Sequence, residues 1–61
     1  MNRIKALRTE LGINQTDLAA RLQVRQNTVS NWETGRTEPD SAILQKMSSI
    51  FGVSIDYILG H

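Results

Sequence analysis

The stretch Gln15-Thr16-Asp17-Leu18-Ala19-Ala20-Arg21-Leu22-Gln23-Val24-Arg25-Gln26-Asn27-Thr28-Val29-Ser30-Asn31-Trp32 decides the fold. Its apolar or small residues fall at Leu18, Ala19, Leu22, Val24, Val29 and Trp32. Leu18, Ala19 and Leu22 have the spacing of one buried helical stripe, and Val29 and Trp32, three apart, resume it after a break. Gln23-Val24 is that break, a tight turn between two short helices. Each apolar position has a steric reason. Ala19 is small where the next helix crosses it at close range. Leu18, Leu22, Val29 and Trp32 seal the angle between the helices, and Val24 plugs the turn. With that face anchored, Gln26, Asn27, Ser30 and Asn31 are left on the outward face. They are polar side chains with both donors and acceptors, suited to the edges of bases.

On either side of this stretch, punctuation divides the rest of the chain into three more helices. Asn2 can cap a first helix, with Ile4, Leu7 and Leu11 on one face and Gly12 as its stop. Asn14 caps the second, with Asp17 reaching back in a variant of the capping box. The third runs from Arg25 or Gln26 to Thr34, and Gly35 ends it. Residues 36–39 form a loop. Pro39-Asp40-Ser41 starts a fourth helix, whose Leu44, Met47 and Phe51 face inward before Gly52. Ser54 caps a last short helix through Leu59. Tyr57 and Ile58 fit either a core or a dimer patch on spacing alone. No stretch alternates as a strand does. The expectation is an all-α chain with one domain over residues 1–61 and a helix-turn-helix over about 15–34.

Composition narrows the function. Sixty-one residues allow one modest core. The chain has no cysteine, and its single histidine is the last residue, His61; no metal site and no cofactor are expected. No run is long enough to span a membrane, and no small-molecule ligand is evident. There is no nucleophile–base set and no glycine loop to cradle a phosphate, so no enzyme is expected. A cytoplasmic protein is the expected setting, nucleoid-associated when on DNA. Seven basic against six acidic side chains give a formal net charge of +1. That is far from the basic excess of a charge-driven nucleic-acid binder, so positive charge must be placed rather than abundant. Arg3, Lys5, Arg21 and Lys46 read as solvated charge, and Asp17 and Asp56 as first-turn carboxylates that offset helix dipoles.

The segments Asn14 to Ala19, Val29-Ser30-Asn31-Trp32-Glu33-Thr34-Gly35-Arg36, Pro39, and Phe51-Gly52-Val53-Ser54-Ile55-Asp56 together resemble the Cro and lambdoid phage repressor type of helix-turn-helix domain. That class includes many bacterial regulators and antitoxins. The resemblance covers essentially the whole chain, in register and without gaps. It implies a five-helix, lambda-repressor-like bundle that binds a double-stranded DNA operator as a homodimer, with its third helix in the major groove. The implied role is a transcriptional regulator acting as a repressor; the rival is an antitoxin or protein-interaction module on the same fold.

By the same resemblance Gln26, Asn27 and Asn31 match positions that touch bases, with Ser30 nearby. Gln15 matches a phosphate grip at the head of the second helix, aided by the helix dipole. Arg36 matches a backbone-contact position after the third helix. Arg8 and Glu33 match a pair that ties the first helix to the end of the recognition helix and steers the arginine near the phosphates. Two residues depart from the pattern. Gln23 stands where the turn usually has glycine, and is expected at a positive φ. Arg25 stands where serine or threonine usually caps the third helix, and is open between phosphate, base and solvent contact.

Overall fold

A computed structural model describes residues 2–61. In chain order it has α1 (Ile4–Glu10), α2 (Gln15–Leu22), α3 (Gln26–Thr34), α4 (Ser41–Phe51) and α5 (Ile55–Leu59), and no strand among the described residues. The caps are those that the side chains dictate. Asn14 accepts from the Asp17 N–H while the Asp17 carboxylate accepts from the Asn14 N–H, completing the capping box of α2. Asp40 accepts from Ile43 at the head of α4, and Ser54 from Tyr57 at the head of α5. Pro39 is buried ahead of the Asp40 cap, outside α4, rather than in its first turn.

The core joins all five helices. Ile4 and Leu7 of α1 meet Leu18, Ala19 and Leu22 of α2, Val29 and Trp32 of α3, Leu44 and Met47 of α4, and Ile58 of α5. Val24 and Phe51 are half-buried against this cluster. Helices α2 and α3 pack most extensively on each other; α1 braces α3, and α4 braces α2. Ile58 is therefore core, whereas Tyr57 is 45% exposed.

Two expectations need correcting. Leu11 does not continue the buried stripe of α1: the helix ends at Glu10, and Leu11 is 45% exposed. Asn2 acts one position earlier than a regular cap. The N-cap position is Arg3, whose side chain makes no capping bond, and Asn2 Oδ1 instead accepts the Ile4 N–H at 3.1 Å. Its Nδ2 donates to the carbonyl of Trp32 at 2.8 Å, so the same side chain ties α1 to the C-terminal half of α3.

Candidate nucleic-acid interface

Helix α3 presents one face to the core through Val29 and Trp32 and the opposite face outward. Gln26 and Asn27 are exposed on it, and Ser30 and Asn31 half-buried. In the side-chain hydrogen bonds of α3, Gln26 donates to Gln15, Glu33 accepts from Arg8 of α1 and Gln15 of α2, and the Thr34 hydroxyl donates back to its own helix. Among the described residues, Asn27, Ser30 and Asn31 thus keep their side-chain donors and acceptors open to a ligand.

The two ends of α3 differ. Its C-terminus closes on Gly35 at φ +80°, with Arg36 N–H donating to the Asn31 carbonyl. Arg36 follows at once and is exposed. The N-terminus has neither a side-chain cap nor a carboxylate in its first turn, and Arg25 occupies the N-cap position, exposed. An arginine there neither accepts an N–H nor complements the positive end of the helix dipole. The result is a helix whose leading end is electropositive and unneutralised, unlike α2 with Asn14 and Asp17.

Beneath this face lies a relay of polar side chains. Arg8 Nε donates to Glu33 Oε2 at 2.6 Å and Arg8 Nη2 to Glu33 Oε1 at 3.2 Å, a two-point contact between α1 and the last turn of α3. Arg8 Nη1 also donates to the Ile13 carbonyl. Only 3% of the Glu33 side chain is exposed, against 12% for Arg8, so this is not a solvated surface pair. Burial alone pushes the Glu33 carboxyl up. Hydrogen bonds from Arg8 and Gln15, together with the charges of Arg8 and Lys5, outweigh it and hold the pKa below the ordinary value. Gln15 Nε2 donates to Glu33 Oε1 at 3.0 Å, and Gln26 Nε2 donates to Gln15 Oε1 at 3.1 Å.

The structure thus brings Arg8, Glu33, Gln15 and Gln26 into one connected group, with Asn27, Ser30 and Asn31 farther along the same helix. Arg25 and Arg36 flank that helix, outside the relay. The sequence singled out the Arg8–Glu33 pair and Gln15 separately. Their connection through Glu33 joins residues 18 apart, and no local spacing announces it. Spacing presents Asn2 only as a cap; its bond to the Trp32 carbonyl likewise has no signal in the sequence.

A family model described as Helix-turn-helix matches residues 4–58. The HTH-type transcriptional regulator ImmR of Bacillus subtilis is 38% identical over 58 residues, which are 95% of this chain and 46% of that protein. The SPbeta prophage-derived uncharacterized HTH-type transcriptional regulator YonR of the same organism is 39% identical over 57 residues, covering 93% and 53%. A crystal structure of a transcriptional regulator from Listeria innocua superposes with a TM-score of 0.87 at 32% identity, covering 93% of this chain and 53% of that one. The chain spans about half the length of these curated relatives.

Proposed function

This chain belongs to the helix-turn-helix family, and from that premise we propose that it binds double-stranded DNA sequence-specifically as a transcriptional regulator, with α3 in the major groove. The observation that carries the reading is the divided surface of α3. Val29 and Trp32 hold one face in the core, while Asn27, Ser30 and Asn31 offer uncommitted hydrogen-bonding groups on the other.

In this reading Gln26, Asn27, Ser30 and Asn31 face base edges. Amide side chains pair bidentately with adenine, so A·T pairs belong in the half-site. Gln15 spends one N–H on Glu33 and keeps the other for a phosphate. Arg25 and Arg36 supply charge at the two ends of the recognition helix. The presence of Arg25 at a position where it weakens the helix supports a phosphate contact there. A two-fold homodimer would set two α3 helices about 34 Å apart, on one side of the duplex. Repression follows as the simplest consequence of occupying such a site, by excluding other proteins from it.

Substitution separates the roles. Asn31→Ala is expected to relax preference at one or two base pairs, at a cost of about 1–3 kcal/mol on the preferred site. Arg36→Ala is expected to weaken all sequences alike and to lower the slope of log K against log salt by about 1 per protomer. Titrations of preferred and random duplexes at several salt concentrations measure both. Equal losses for the two variants on both duplexes would contradict this division.

One observation favours a second reading, a protein-interaction module. Leu11 and Tyr57 are exposed and border a hollow with Leu7, Glu10, Phe51 and Val53. Recovery of a stoichiometric protein complex that is lost on Leu11→Lys, with no duplex enriched from a random pool, would select that reading.

A further inference from the structure

The hydrogen bonds that meet at Glu33 impose a direction on the side chains beyond it. A carboxylate only accepts, so every group facing it must present an N–H. Gln15 therefore turns its nitrogen to Glu33 Oε1, and its oxygen is forced the other way. Gln26 meets that oxygen and must in turn present its own nitrogen, at 3.1 Å. The two ends of a glutamine amide have nearly the same shape, so packing alone does not choose between the two settings. The buried charge does, and Arg8 holds that charge in place at two points.

We propose that Glu33 is a positioning residue which, through Gln15, sets the donor–acceptor polarity of the Gln26 amide and so the base edge that Gln26 reads. This inference rests on the DNA-binding reading above. With one N–H committed to Gln15, Gln26 keeps its oxygen and its second N–H, the pair that a bidentate contact to a base requires. Turning the Gln26 amide over sets its oxygen against the oxygen of Gln15, and the wild-type chain disfavours that arrangement before DNA arrives. Without the carboxylate both settings are populated, and discrimination at that base pair falls while the phosphate contacts of Arg25 and Arg36, outside the relay, persist.

Two variants test this. Glu33→Gln replaces the acceptor by a group that accepts or donates. Arg8→Met combined with Glu33→Leu removes the relay while leaving no buried charge unpaired, which preserves the fold if the single variant does not. Side-chain amide 1H–15N spectra of the free protein read the relay without DNA. The Gln15 and Gln26 signals are both expected to shift; a Gln26 amide that stays in place while that of Gln15 moves overturns the proposal. Competition among duplexes differing by single base pairs, derived from the sequence enriched from a random pool, reads the consequence. The expected result is an about ten-fold loss of discrimination at one base pair, with the others retained. A loss spread evenly over all positions overturns the proposal, since Glu33 would then act as scaffold alone. If the wild-type chain enriches no duplex, the DNA-binding reading fails, and the amide spectra decide the relay by themselves.

Discussion

Taking the Glu33 carboxylate out of water carries a desolvation cost of several kcal/mol, which only good partners offset. It has them in Arg8 and Gln15. Arg8→Met alone strands the carboxylate and is expected to cost about 3–5 kcal/mol, most of the stability of a chain this short. The paired Arg8→Met, Glu33→Leu variant is expected to recover most of that loss in urea unfolding. The acid limb has a definite sign. The folded-state pKa of Glu33 lies below the ordinary 4.5, so its contribution is complete above that pH and is lost as pH falls through the lower folded value. Urea midpoints measured from pH 6 downward are expected to decline below about pH 4.5 in the wild type, and less steeply in Glu33→Gln. The Arg8–Glu33 pair was legible from family register. The Gln15–Glu33–Gln26 relay was not, because it depends on the rotamers of side chains from two helices and on which face of α1 meets α3.

Between elements, two helix ends form the same backbone motif with different residues. After α2, Val24 N–H donates to the Ala19 carbonyl and Gln23 N–H to that of Ala20; after α3, Arg36 and Gly35 repeat the pattern onto Asn31 and Trp32. Gly35 takes the required left-handed conformation without penalty, whereas Gln23 takes it at φ +59° with a side chain in place. Gln23→Gly is therefore expected to stabilise the fold by about 0.5–1 kcal/mol and raise the melting temperature by about 4 °C. At the head of α3, Arg25→Ser supplies the missing cap and is expected to add about 1 kcal/mol of stability. If Arg25 holds a phosphate as proposed, the same change is expected to weaken binding to every duplex. Thermal unfolding beside a binding titration separates the two effects; tighter binding by Arg25→Ser would remove Arg25 from the interface. These helix ends were readable from the sequence because glycine, asparagine, aspartate and serine act locally. Leu11 was misread for a complementary reason. Periodicity extends a stripe as long as apolar residues recur, but Leu11 is the C-cap of α1. Its backbone stays helical and its N–H still reaches the Leu7 carbonyl, yet its side chain lies at the edge of the core, exposed beside the hollow that it shares with Tyr57.

For the whole molecule, Asn2 and Arg3 fasten the start of the described chain to α3 and to α5. Arg3 N–H donates to the Ile58 carbonyl, its guanidinium donates to the Tyr57 carbonyl and lies 4.2 Å from the Tyr57 ring centroid, and Asn2 bonds Trp32. That arrangement explains why Tyr57 and Ile58, indistinguishable by spacing, divide into surface and core. Their fates depend on a chain segment more than fifty residues away. A net charge of +1 leaves little general attraction for a polyanion, so the proposed DNA binding requires affinity from a few placed contacts and preference from α3. Selection of bound sequences from a random duplex pool tests that directly. The expected result is a two-fold symmetric site with A·T pairs in each half and half-sites one helical turn apart. A pool that emerges as random as it entered, with binding that only tracks salt, would contradict it.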